Sequence, residues 1–584
     1  MPTLPFEFKL CSQKCKKECG ANLARCPTYG KLPELLQEKC RENLHLLQYL
    51  QSFPLEKFGV PEYYEKLERS MKSIKNPNLV YPVAQNVFIH ILGNPEDIRN
   101  FYIPIEPSLF GQMNGLLERI EELLTEFVDE LEDIYDDNER LEVILAIVDR
   151  LVHVRGNGKK AAQGRKATRT SLKGNHKIKD KVTLSPVQYQ GLHYLLRCEL
   201  AGLGVLEPMI RDPYIEDISC SGLGSIFVEH KIFGGLRTTI GFETHEELDK
   251  FVIQLAEKIK HPVTFRDPCV DATLPDGSRI NIVYGTDVSK RGSNFTIRKF
   301  SPTPMSIIEL IQLGTLTHEM AAYLSLVIQE QMNVWVSGET ASGKTTLLNA
   351  LATFIPPEAK VVSIEDTPEI QVPHPNWIRG VTRGSAKSSE ASEVSMFDLL
   401  KAALRQRPNV IIVGEIRGVE GAIAFQAMQT GHACMSTFHA ASVPKLLQRL
   451  TGNPINVPKS YVDNLNVVVI TQMVRLPNGR TGRRVISINE IVSYDSVSDS
   501  FSFIEVFIWN PLNDTFEFKG YMNSYLLEEK IAPRRGIPHV RRQQIYAEIK
   551  RRAEVLKRIQ QQRITNFYDV YRVLSRAYRE GYFR

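Results

Sequence analysis

The octet Gly338–Thr345, GETASGKT, restricts the fold of this chain more than any other stretch. It follows the apolar run NVWVS and precedes TTLLNALATF, so it predicts a strand, a glycine-rich loop and a helix in succession. Glycines let the loop turn its N–H groups toward phosphate oxygens, and the following helix adds its positive N-terminal end. Lys344 reaches the β- and γ-phosphates, and Thr345 is placed to ligate Mg2+. The candidate nucleotide-binding set is therefore Gly338, Glu339, Thr340, Ala341, Ser342, Gly343, Lys344, Thr345 and Thr346. From Ser306 to about Asn510, helical stretches alternate with short apolar runs (NVWVSG, KVVSIED, NVIIVGE, CMSTFHA), which is the pattern of a largely parallel α/β sheet.

A second element lies downstream at Pro408–Gly418, PNVIIVGEIRG, a strand pattern ending in Glu415. A carboxylate at the end of a strand neighbouring the phosphate loop is placed to polarise an attacking water or hold a magnesium-bound one. Gly414 stands where an Asp usually precedes such a Glu, so magnesium would rely on Thr345, the nucleotide and water. Between the two elements VVSIEDTPEI carries Glu365, Asp366 and Glu369, and after them TGHACMSTFHA carries His432 and His439. These are candidates for positioning water and sensing the γ-phosphate, and neither histidine has zinc-site spacing.

The 584 residues leave room for about four domains. With 43% hydrophobic and 24% charged residues, neither a disordered chain nor a multi-span membrane protein fits. The start lacks a secretory signal pattern and no apolar run has membrane-spanning length, so a cytoplasmic location with peripheral contact to the cell membrane is expected. The net charge of +5 is too small to argue for nucleic acid, and no specific nucleic acid is expected.

Charge and cysteine are unevenly placed. Residues 155–181 carry ten Lys or Arg against one Asp and read as a basic, flexible linker, and residues 110–152 read as acidic and helical. Residues 534–584 carry fourteen Lys or Arg against four acids and also read as helical. Cys11, Cys15, Cys19 and Cys26 are spaced C-x3-C-x3-C-x6-C, which is either a four-thiolate Zn or Fe-S site or a set of free thiols. Less than stoichiometric zinc or iron in anaerobically purified protein would remove the metal reading.

GETASGKTTLLNAL, SIEDTPEIQVPHPNWIRGVTR, LRQRPNVIIVGEIRG and TGHACMSTFHA, in that order, resemble the four nucleotide motifs of the type II/IV secretion system ATPases. The NWIRGVTR wording, and the lack of a Cys-rich insert after Glu415, resemble the archaeal branch that drives type IV pili and archaella. The resemblance runs from about Leu192 to Asn510. It implies a RecA-like P-loop ATPase core joined to an α+β N-terminal partner domain, with helical N- and C-terminal extensions. It also implies ATP and Mg2+, a homo-hexameric ring, and a polytopic membrane platform protein as partner. By the same resemblance Glu415, Lys344, Glu365 and His439 are catalytic, and Arg279 and Arg298 of the partner domain close over the phosphates.

The chain is thereby divided into an extension (1–154), a basic linker (155–184), the partner domain (185–303), the ATPase core (304–515) and a basic helical tail (516–584). A RecA-like nucleic-acid translocase shares the loop, the strand-end Glu and the basic segments, and is the rival reading. The paired acidic and histidine segments favour the secretion motor.

Overall fold

β-Branched and aromatic runs build one large sheet in each of two compact units, 1–300 and 301–584, and the first unit adds a two-stranded sheet. The computed structural model describes residues 4–6, 27–68, 71, 72, 74–94, 98–109, 113–130, 136–155, 181–300, 303–383 and 394–583. Cys11, Cys15, Cys19 and Cys26 lie outside the described residues. Among the described residues, no three His, Cys, Asp or Glu side chains form a metal-holding group.

In the first unit the strands are β1 (Glu62–Tyr63), β2 (Asn78–Ala84), β3 (Val87–Leu92), β4 (Phe101–Ile105), β5 (Val152–Val154), β6 (Val182–Leu184), β7 (Ile215–Cys220), β8 (Gly224–His230), β9 (Gly234–Phe242), β10 (Cys269–Thr273), β11 (Arg279–Val283) and β12 (Asn294–Arg298). All but β5 and β6 form one ten-stranded sheet, in the order β1-β2-β3-β4-β9-β8-β7-β12-β11-β10. β4 pairs in parallel with β9, so residues that the sequence pattern assigns to an N-terminal extension share a sheet with the α+β segment. Asp212 fixes the join. It is fully buried and accepts hydrogen bonds from Tyr81 of β2 (2.6 Å) and Tyr102 of β4 (2.9 Å), which offset the cost of burying its carboxyl. The helix His245–Lys258 is capped by Thr244 and buries Leu248, Val252, Leu255 and Ala256, a helical stripe turned onto the core.

The ends of the basic segment are held together. β5 and β6 pair in parallel, Val152 against Val182, and the helices Asp137–Leu151 and Pro186–Leu200 share one apolar cluster that includes Ile144, Val148, Leu192 and Leu196. The described residues on both sides of the basic segment therefore belong to the same unit, whereas its composition alone reads as a linker.

The second unit contains β13 (Val334–Gly338), β14 (Val361–Glu365), β15 (Trp377–Val381), β16 (Val410–Ile416), β17 (Ala433–Phe438), β18 (Val467–Arg475), β19 (Thr481–Asp495), β20 (Ser500–Asn510) and β21 (Thr515–Phe518). Their order is β15-β14-β16-β17-β13-β18-β19-β20-β21, parallel through β18 and antiparallel from there on. Alternate residues of the parallel strands face opposite layers. Val334, Val336 and Ile412 join the core beneath helices His318–Gln329 and Lys344–Ala352. Trp335, Ile411 and Val413 join the core beneath helices Met396–Arg405, Glu420–Gln429 and Val443–Thr451. This is an α/β doubly wound arrangement.

The basic tail belongs to that unit's main core. Ile545, Ile549, Leu556 and Ile559 of helix Ile545–Gln561 and Val570 and Leu574 of helix Phe567–Arg579 sit in the same cluster as Tyr323 and Leu324. Arg552 is fully buried and donates to Glu548 (2.8 Å), Ser325 (3.2 Å) and the Phe583 carbonyl (2.9 Å). Burial pushes its guanidinium down to about 10 against the pull of Glu548. No helix of the described residues is long and apolar enough to cross a membrane.

Candidate active site at the strand ends

The glycine loop folds as its sequence predicts. A Cβ on Gly338 would stand 2.2 Å from the carbonyl oxygen of Thr471, and Gly343 takes a left-handed φ of 90° at the start of helix Lys344–Ala352. Ala341 is also left-handed, with φ 60°, and its carbonyl accepts from Arg483 Nε at 2.9 Å. Ser342 ties the loop internally by donating to the Glu339 carbonyl at 2.8 Å. Lys344 is buried and donates to the same carbonyl at 2.9 Å, while Glu339 and Thr340 are exposed and Thr345 and Thr346 half-buried.

The parallel strands bring the acidic and histidine segments to this same edge. β14 ends in Glu365, β16 carries Glu415, β17 is followed by His439 and β13 runs into the loop, in the lateral order β14-β16-β17-β13. The strand carrying Glu415 is thus one removed from the loop strand, with β17 between them, and not its direct neighbour as the sequence suggests. His439 bridges that gap, its Nε2 lying 3.4 Å from Lys344 Nζ and 3.1 Å from Glu415 Oε1. Glu415 Oε1 is buried and has no aligned hydrogen bond, while Oε2 accepts from Arg417 Nε at 2.9 Å. Burial and the Lys344 cation hold His439 below the ordinary histidine range against the opposing pull of Glu415, so at neutral pH it is an uncharged imidazole.

Glu365 is only 1% exposed. Its Oε1 accepts from the N–H groups of Glu369 (2.7 Å) and Ile370 (2.5 Å), and its Oε2 faces Arg379 Nε at 3.3 Å. Burial raises its carboxyl to about 7, more than these partners lower it. A Cβ on Gly414 would lie 3.2 Å from Glu365 Cγ, so a side chain there would crowd the Glu365 stem. Gly414→Asp is expected to destabilise the unit by about 1–3 kcal/mol through overpacking. An unchanged melting temperature for that variant would contradict the crowding.

Not every candidate reaches this edge. His432 precedes β17 and His439 follows it, which separates the two by roughly 20 Å of strand. His432 Nδ1 instead lies 3.0 Å from Thr430 Oγ1. Asp366 is exposed and accepts from Thr382 at 3.2 Å, and Glu369 contributes its backbone. Arg279 and Arg298 lie in the first unit as directly opposed residues of β11 and β12, with Arg279 paired to Asp271 (2.9 Å) and Arg298 opposed on its other side by Asp217. Arg417, Arg379 and Arg483 are residues of this edge that motif reading passes over. The first two lie inside quoted motifs, within two residues of Glu415 and on the strand beside Glu365, whereas Arg483 meets Ala341 across 142 residues and has no local signal.

A family model described as type II/IV secretion system protein matches residues 199–500. An uncharacterized protein of Methanocaldococcus jannaschii is 43% identical over 546 residues, covering 94% of this chain and 97% of that relative. The type IV secretion system protein VirB11 of Brucella suis is 28% identical over 313 residues, covering 48% of this chain and 86% of the relative. Among solved structures, the VirB11 ATPase of Brucella suis in complex with sulphate is 24% identical, covers 48% of this chain and 91% of its own, and superposes with a TM-score of 0.25.

Proposed function

Because the chain belongs to the type II/IV secretion system protein family, we propose that it is an ATP-hydrolysing motor of a secretion or type IV pilus-like assembly system. The observation that carries this reading is the meeting of the phosphate loop, Lys344, His439, Glu415 and Glu365 along the carboxyl ends of adjacent parallel strands. Open α/β sheets bind ligands in that place.

The residues suit a magnesium nucleotide. The loop is closed to any Cβ at Gly338, a helix N-terminus follows it, and a buried carboxylate oxygen of Glu415 has no hydrogen-bond donor. Thr345 would hold the magnesium, which supplies charge neutralisation of the phosphates when bound. Lys344 binds phosphate oxygens, Glu415 accepts a hydrogen bond from the attacking water, and neutral His439 accepts from Lys344 through Nε2, which leaves Glu415 Oε1 without a donor. By the family resemblance, Arg279 and Arg298 stabilise the transferring phosphoryl group. The working assembly is a homo-hexamer at the inner face of the membrane, acting on a polytopic platform protein to move pilin-like subunits.

Purified full-length protein is expected to release phosphate from ATP in a magnesium-dependent reaction that DNA leaves unchanged. Strong stimulation by DNA, with steeply salt-dependent DNA binding, would replace this reading with a nucleic-acid translocase.

A further inference from the structure

The NWIRGVTR stretch supplies β15, the outer strand of the sheet on the Glu365 side. Its register sets Ser363 against Arg379 and Glu365 against Val381, so Arg379 reaches Glu365 diagonally across the parallel pair. The guanidinium is braced. It stacks on the Trp377 ring at 5.3 Å, and Trp377 Nε1 is itself anchored to Ser363 Oγ at 2.8 Å. Glu365 faces Arg379 from β15, the Glu369 and Ile370 N–H groups from the turn that follows β14, and the bare backbone of Gly414 from β16. Among the described residues, Arg379 is the one charged side chain that pairs with it.

We propose that Arg379 is a positioning residue for ATP hydrolysis, fixing the buried Glu365 carboxylate at the carboxyl ends of the parallel strands, so that the edge strand controls an internal carboxylate. The proposal rests on the reading of Glu365 as a member of the ATPase site. An ion pair serving only the sheet edge would not need a partner buried to 1% whose other oxygen is already satisfied by two N–H groups. Burial favours the protonated carboxyl, and Arg379 opposes that preference, so losing the guanidinium makes Glu365 take up a proton at higher pH.

The test is steady-state ATPase activity of the full chain against pH. The parent should lose activity with a midpoint near 7 as pH falls and Glu365 protonates. Arg379→Ala should move that midpoint up by about one unit or more, and Arg379→Lys should restore most of the shift, with the KM for ATP little changed. A melting temperature lowered by Arg379→Ala without movement of the acid limb would mean a merely structural role and overturn the proposal. Glu365→Gln separates the premise from the inference. If it leaves activity and the acid limb as in the parent, Glu365 is not part of the site. If it abolishes activity while Arg379→Ala leaves the limb in place, the inference about Arg379 fails and the reading of Glu365 stands.

Discussion

Glu415→Gln is expected to lower ATP turnover by roughly 10²–10⁴-fold while leaving nucleotide affinity within a few-fold of the parent. The amide keeps the size of the side chain and can still accept one hydrogen bond. It cannot take the proton of an attacking water, and it brings an N–H₂ group toward either Arg417 or His439. Affinity should survive because phosphate binding rests on the loop backbone and Lys344, whose hydrogen bond to the Glu339 carbonyl does not involve Glu415. Single-turnover phosphate release and equilibrium nucleotide binding, measured on the same preparation, separate the two effects. Turnover within a few-fold of the parent would leave Glu415 as a strand-end carboxylate with no part in hydrolysis and would favour a nucleotide-stabilised scaffold.

Arg279→Ala should be nearly as damaging, about 10³-fold in turnover, if its guanidinium stabilises the transferring phosphoryl group. The local structure makes this arginine unusual. Arg279 and Arg298 stand directly opposite each other on antiparallel strands, and like charges in that arrangement repel. Asp271 and Asp217 flank them and offset part of that cost. Both members of the Arg279–Asp271 pair are exposed by about two-fifths or more, so the pair itself stabilises the fold by at most about 1 kcal/mol. A large loss of turnover with an unchanged melting temperature is therefore the expected signature. Unchanged turnover would assign the two arginines to surface ion pairing.

The neutral state of His439 bears on both experiments. Lys344 and burial disfavour its protonation, so the Lys344–His439–Glu415 contact carries a proton-poor imidazole at neutral pH. Charging that ring on acidification would place a second cation 3.4 Å from Lys344 and draw Glu415 into a full ion pair. Acidification therefore acts at two positions of the site, on Glu365 and on His439, and Glu365→Gln removes only the first.

How much of this was legible in the chain differs by element. The strand, loop and helix around Gly338–Thr345 were readable because their requirements are local: apolar alternation, glycine where the backbone turns left-handed, and a helix-forming run after it. The strand ends bearing Glu365, Glu415 and His439 were readable for the same reason, since parallel strands flanked by helices align their carboxyl ends. The exclusion of His432 was not readable, because adjacency in sequence hides the length of the intervening strand. Composition also misleads at both ends of the chain. A basic tail with fourteen Lys or Arg still buries Ile545, Leu556 and Leu574, because one helical face in three suffices for a core while the charge occupies the others.

By itself, then, the sequence determined the periodicities, the phosphate loop and the residue types able to bind and hydrolyse a nucleotide, all of which depend on neighbours a few positions away. Only the tertiary structure decided that β1 to β4 extend the first unit's sheet, that Glu365 packs against Gly414, and that Arg379 reaches that carboxylate from the sheet's edge. Each of these turns on strand order and register, which hydrogen-bonding across the sheet sets between segments far apart in the chain, and no local pattern encodes such pairings.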